Sequence, residues 1–255
     1  MHHNYNGTLI ADVEHIREAS ENLRDFAQSI GGYKVAACDN IASKKPMVDA
    51  DDNILATTVF GWTEKADTWW KKPFLALNSP VTRACRYESE AFWLNTERFY
   101  SRQPNKFLEE INLSKIEDII GSKALICVPA HLPFSQIGAV SFSHPDVEKQ
   151  DLKEDFQKYG FELEHLAKRY LAGYAKAMNR RVWIPKDCKL SKREVECVKW
   201  AAIGKTDKEI AMILSRSCAT IRFHIHNAAV KLNAVNRCQT VFKASQLGYL
   251  GAAAT

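Results

Sequence analysis

The chain has 255 residues, 46% of them hydrophobic and 25% charged, the make-up of an ordinary soluble globular protein long enough for two cores. No uninterrupted apolar run reaches the ~20 residues of a membrane span, and the segment after Met1 lacks the charged-then-apolar opening of a secretory signal, so a cytoplasmic protein with no membrane partner is expected. Seven cysteines, at 38, 85, 127, 188, 197, 218 and 238, form no Cys-x-x-Cys pair and are odd in number, which fits reduced thiols and argues against a disulfide framework or a zinc site.

The net charge of +5 is unevenly placed. Of 35 Lys+Arg and 30 Asp+Glu, 11 and 5 lie from Asp187 onward, which leaves 24 and 25 before it. No acid follows Glu209, while Arg216, Arg222, Lys231, Arg237 and Lys243 do. Such a tail suits a polyanion such as DNA.

In chain order, residues 11–30 carry Val13, Ile16, Leu23, Phe26, Ala27 and Ile30 at helical spacing, ending at Gly31 and Gly32, and predict an amphipathic helix. A short strand is expected over residues 33–38. After a polar turn region, the β-branched and aromatic residues 54–60 predict a second strand. Residues 61–95 hold Trp62, Trp69, Trp70 and Trp93 with Phe74 and Phe92. Two accounts stand open for them: an aromatic-rich core or a ligand cavity lined by aromatics and a few directed polar groups.

Residues 103–120 read as mostly helical, 121–129 and 137–143 as two strands of a β-hairpin joined by the loop 130–136, and 151–178 as a helix with an apolar stripe through Phe156, Tyr159, Leu163, Leu166, Ala167 and Tyr170. The sum is an α+β fold, an α-β-α sandwich in which helices flank an antiparallel sheet. Pro185 interrupts the charged stretch 179–189, which reads as an interdomain linker.

Beyond it lie three short helices. Ser191 stands three residues before Glu194, the spacing of a capping box; Val195, Val198, Ala201 and Ala202 form the first apolar face, and Gly204 stops it. Thr206 or Asp207 caps the second helix, whose Ile210, Ala211, Ile213 and Leu214 face the core. Ser217 or Ala219 begins the third, in which Ile221, Ile225, Ala228 and Leu232 point inward. Arg222 and His226 then share an outward face with Ala219, beside Asn227 and Phe223. This is the pattern of a helix-turn-helix DNA reader.

Arginine reaches guanine bidentately, so Arg222 is the first candidate base reader, the alternative being a helix-surface ion pair disfavoured by the lack of acids nearby. The DNA-binding set is Arg222, His226, Asn227 and Thr220, with Lys205, Thr206 and Lys231 on phosphates. His15, His131 and His144 have no local carboxylate or cysteine arrangement that spells a metal or nucleophile site, so no catalytic residue, metal or enzyme activity is expected. An enzyme with a DNA-binding tail is the contrary alternative.

Leu190-x-x-Arg193-Glu194, Trp200, Gly204-Lys205-Thr206-x-x-Glu209-Ile210-Ala211, Thr220-Ile221-x-x-His224, Asn227-x-x-x-Lys231-Leu232, Asn236-Arg237 and Gly248 together resemble the LuxR family of quorum-sensing regulators over roughly sixty residues. The resemblance implies an all-α, four-helix DNA-binding domain, a fourth helix near 237–247 that makes dimer contacts, a palindromic double-stranded DNA operator and a homodimer. It implies domains at 1–178 (autoinducer-binding-like sensor), 179–189 (linker) and 190–255 (helix-turn-helix). A phosphorylation receiver would need an alternating β/α pattern that residues 1–130 lack.

The family's sensor binds N-acyl-homoserine lactones, which makes such a lactone, or another small apolar signal molecule, the implied ligand; no other cofactor is implied. The implied ligand-binding set is Trp62, Trp70, Asn78, Ser79, Trp93 and Ser141. Departures occur there. Ser79 stands before Pro80 where the family has an aspartate that accepts the ligand amide, and Trp70 replaces a tyrosine. Ala66 replaces a tryptophan, for which Trp62 and Trp69 are the possible substitutes. A neutral acceptor holds an amide less strongly than a charged one. The alternatives are an orphan regulator that takes a different ligand or none, or one that acts by pairing with another regulator.

Overall fold

The structure is a computed structural model that describes residues 5–43, 45–63, 79–178 and 188–251. Most of the expected linker lies outside the described residues, as do Ala66, Trp69, Trp70, Phe74 and Asn78. The chain divides into two compact units.

In the first unit, helix α1 (Ile16–Gly31) buries Ile16, Ala19, Leu23 and Ala27 on one face. It stops at Gly32, whose φ of 70° is a left-handed conformation that costs glycine little. Strand β1 (Lys34–Cys38) follows. The strand expected at 54–60 is instead a short helix, α2 (Leu55–Thr58). Local hydrogen bonds override the β-branched composition here: the Asp49 carboxylate accepts from the backbone N–H groups of Asp51 and Asn53, and the hydroxyls of Thr57 and Thr58 donate back to the carbonyl of Ile54 at 3.0 and 2.9 Å.

Next come α3 (Pro80–Tyr87), β2 (Phe92–Leu94), β3 (Phe99–Ser101), α4 (Lys106–Glu109) and α5 (Ile116–Ile120). The hairpin strands are β4 (Leu125–Leu132) and β5 (Gln136–Ser143), so the expected loop 130–136 shortens to three residues. Helix α6 (Lys153–Met178) closes the unit. All strand pairs are antiparallel, in the order β1-β5-β4-β2-β3. Strands β2 and β3, at three residues each, escaped the sequence reading because alternation has no room to declare itself.

Successive side chains of a strand point to opposite faces, and this divides the core. Val35, Trp93, Ile126, Val128, Val140 and Phe142 pack with α1 and α6. Phe92, Leu94, Leu125 and Cys127 pack with Ala84 and Cys85 of α3, Leu108 of α4 and Ile116 of α5. Helices cover both faces, the α-β-α sandwich expected. Within the first layer, the Ser20 and Tyr170 hydroxyls meet at 2.7 Å and join α1 to α6, and Ser20 also donates to the Ile16 carbonyl. In the second, the Cys85 and Cys127 sulfurs lie 3.7 Å apart.

The second unit is four helices: α7 (Lys192–Ala202), α8 (Asp207–Ile213), α9 (Cys218–Lys231) and α10 (Arg237–Gln246). Leu190, Val198, Ala228, Leu232 and Ala244 form one small core, and Cys197, Ile210, Ala211 and Ile221 another. Ile213, expected to face inward, is exposed. At about 100° per residue it lies off the arc spanned by Ile210, Ala211 and Leu214.

Replacing Tyr170 with Phe removes the buried hydroxyl contact to Ser20 and should lower unfolding stability by about 1 kcal/mol, read as a lower urea midpoint at unchanged slope.

Candidate nucleic-acid interface

Caps set the start of each helix in the second unit. Ser191 accepts from the N–H of Glu194, while the Glu194 carboxylate accepts from the Ser191 N–H; Thr206 and Glu209 repeat this reciprocal pair at α8. Ser217 caps α9 by accepting from the Thr220 N–H at 3.1 Å, and Asn236 caps α10. Gly204, at φ 90°, supplies the turn between α7 and α8.

Helix α9 is held from behind. Ile221, Ala228 and Leu232 are buried, and Lys231 at its last turn reaches Glu194 of α7, with Nζ and Oε2 2.8 Å apart. Burial opposes ionisation of Glu194, yet hydrogen bonds from Lys231 and from the Ser191 N–H hold its carboxyl below the ordinary range. Lys231 had been expected on a phosphate. Its ammonium also pairs with a nearly fully buried carboxylate within the domain, a contact that leaves the lysine side chain partly exposed.

The outward stripe of α9 is Ala219, Arg222, Phe223, His226 and Val230, all exposed, each with another member three or four residues away. Arg222 and His226 therefore lie where the sequence places them. Asn227 and Thr220 flank the stripe, half-buried, and the Thr220 hydroxyl meets Ser217 at 2.8 Å. The sequence reading left Phe223 outside its site although the same spacing puts it on the stripe.

Arg222 also has an acidic neighbour that was not anticipated. Asp207, at the first turn of α8, stands 3.5 Å from Arg222 Nε through Oδ2, while its Oδ1 holds Arg237 of α10. Arg237 donates a further bond to the Lys205 carbonyl. The pair is close in space because α8 and α9 are joined by a tight turn, with Ser215 at φ 52°. Lys205 Nζ is 3.5 Å from Glu209, and Thr206 donates its hydroxyl to the same carboxylate.

Of the sensor-side candidates, Trp70 and Asn78 lie outside the described residues, and the other four divide between the two faces of the sheet. Ser79 is buried at the start of α3, where its carbonyl accepts from Thr82 Oγ1 at 2.9 Å. Ser141 pairs across from Cys127, and alternation puts it on the α3 face of the sheet with Ala139. Trp93 belongs to the opposite face. It stacks on Tyr100 at 4.8 Å, meets Phe156 at 4.6 Å and donates Nε1–H to Asp151 at 2.9 Å. Trp62 packs against the same cluster and donates to the Val35 carbonyl at 2.7 Å. Trp93 is thus corrected from a shared site with Ser79 and Ser141 to the α1/α6 core. A groove of about 480 Å³ lined by Thr96, Glu97 and residues 113–118 contains none of Trp62, Ser79, Trp93 and Ser141, the candidates among the described residues. Among the described residues, no group of three His, Cys, Asp or Glu is placed to hold a metal.

With caps, buried faces and turns in place, residues 188–244 match the model for bacterial regulatory proteins of the luxR family. Those residues are similar to the LuxR-family regulatory domain. The chain is 34% identical over 134 residues to the transcriptional activator protein VanR of Vibrio anguillarum, covering 51% of this chain and 53% of that protein. It is 49% identical over 61 residues to the quorum sensing-dependent transcriptional regulator VjbR of Brucella ovis, 24% of each. It spans about half of VanR's length and less of VjbR's. Among solved structures, SdiA in complex with octanoyl-rac-glycerol is 22% identical, with 95% of this chain and 92% of that chain covered at a TM-score of 0.48. These named relatives are transcriptional regulators.

In the LuxR-like domain, Glu194→Gln should lower stability by about 1–2 kcal/mol, the solvent around half-exposed Lys231 screening part of the loss. Because the folded carboxyl sits below its unfolded value of about 4.3, this contribution is complete above that pH and is lost as pH falls through the folded value. Denaturant titrations should separate the two proteins at pH 7, with the difference shrinking as the pH falls through the folded value of Glu194.

Proposed function

We propose that the chain is a DNA-binding transcriptional regulator of the LuxR quorum-sensing type and not an enzyme, working in the cytoplasm, with α9 as its recognition helix. The observation that carries this is the exposed stripe with Arg222 and His226 at its centre, on a helix fixed from behind, in a segment whose sequence matches a family of regulators. Arg222 supplies the bidentate donor for a guanine, and His226 offers a second polar contact. Thr220 and Asn227 stand at the margins for backbone contacts, and Lys205 and Thr206, at the start of α8, sit where a helix N-terminus favours phosphate. The operator is a palindrome read by a homodimer.

The sensor function rests on the layout of the first unit and on the names of the relatives. A small signal molecule, an acyl-homoserine lactone or a related apolar compound, biases operator affinity by favouring one state of the protein over another. Ser79, buried where an aspartate would hold a lactone amide, favours a second reading in which the ligand needs only a neutral acceptor.

Arg222→Ala should weaken binding to the preferred operator by about 1–3 kcal/mol and relax its sequence preference, measured by titration at fixed salt; unchanged operator affinity removes it as a reader. Ser79→Asp should raise the response to acyl-homoserine lactones in a reporter strain, and an unaltered response with soluble protein excludes Ser79 as the amide acceptor.

A further inference from the structure

Phe223 is 60% exposed, and its ring touches only the edge of the neighbouring His224, at 5.7 Å between centroids, among the ring contacts of the described residues. A lone exposed aromatic needs no explanation on an ordinary surface. This one occupies the middle of the stripe that also carries Arg222 and His226, one residue after the first and three before the second. The stripe itself bears no acid, and its single acidic neighbour, Asp207, is engaged by Arg222 and Arg237. The stripe therefore sets Arg222 and the polar His226 among apolar side chains, of which Phe223, at its middle, is the largest.

A phenyl ring has no donor or acceptor and reads nothing of the hydrogen-bond pattern on a base edge. The floor of the major groove offers it one apolar feature, the C5-methyl of thymine. Consecutive residues of a helix advance about 1.5 Å along its axis and about 100° around it, while base pairs stack about 3.4 Å apart, so Phe223 meets the base pair read by Arg222 or one next to it.

We propose that Phe223 is a specificity-determining residue that recognises the C5-methyl of a thymine beside the guanine contacted by Arg222. The proposal rests on the reading of the α9 stripe as the groove-facing surface. Partners of another kind, such as a second protein on the same ring, are outcomes of the test.

The probe is a duplex enriched from a randomised pool by the full-length wild-type protein. Each thymine in it is then replaced singly by deoxyuridine, which keeps Watson–Crick pairing and removes only the methyl. The wild type should bind about two- to five-fold more weakly when the thymine that Phe223 meets is replaced in one half-site, the loss expected for one buried methyl group. Phe223→Ser should bind the thymine and deoxyuridine duplexes equally, with unchanged thermal unfolding because the ring is exposed, and Phe223→Leu should restore part of the difference. Arg222→Ala should keep the methyl preference while losing the guanine preference. A thymine preference that survives in Phe223→Ser overturns the proposal, as does a wild type indifferent to every replacement or a Phe223→Ser loss that is equal on all duplexes. A pool with no enriched sequence overturns both this proposal and the reading of Arg222. Enrichment with no guanine preference lost in Arg222→Ala overturns the reading of Arg222, and the methyl comparison still decides Phe223.

Discussion

The second unit depends on one buried carboxylate. Glu194 closes the capping box that starts α7 and accepts the Lys231 ammonium at the end of α9, so a single side chain joins the beginning of the domain to the last turn of its third helix. A buried charge without partners is costly, and here the Ser191 N–H and the Lys231 ammonium both donate to Oε2, each a group that also fixes a helix. The constraint works through geometry: with α9 pinned by Lys231 at one end and by the packing of Ile221 and Ala228 along its inner side, its outer stripe has no structural duty. Arg222, Phe223 and His226 are free to be chosen for what they meet outside the domain.

Asp207 refines this picture. Its two oxygens serve arginines from two different helices, so the start of α8 is tied at once to α10 through Arg237 and to the outer face of α9 through Arg222. An exposed ion pair of this kind contributes little to stability. Its effect is on orientation, since holding Nε from one side leaves the two terminal nitrogens of the guanidinium directed elsewhere.

Much of this was legible in the residues. The capping box at Ser191, the stop at Gly204, the inward positions Ile221, Ala228 and Leu232, and the hairpin of β4 and β5 all follow local rules that act within a few residues. What escaped reading acts across space. Lys231 and Glu194 are distant in sequence, so the ion pair that ties the end of α9 to the start of α7 leaves no local signal. Trp93 and Ser141 look like members of one pocket until the pleat of the sheet puts them on opposite faces. Residues 54–60 carry strand-like composition, yet the hydrogen bonds around Asp49 and Ile54 make a helical turn the better local solution. Phe223 was hidden differently: its spacing was visible, but a search for polar readers passes over an apolar ring.

The pairing of β1 with β5 sets an order of events during synthesis. Lys34 pairs with Ser143 and Cys38 with Ala139, so the edge strand made among the first residues has no partner until the second strand of the hairpin has left the ribosome. Contacts so far apart in sequence close slowly, and an unpaired apolar strand is a template for association with other chains. Helices α7 to α10, by contrast, close over short loops. In a growing chain the first unit is therefore the stage most exposed to misassembly, and early docking of β5 on β1 shortens that exposure.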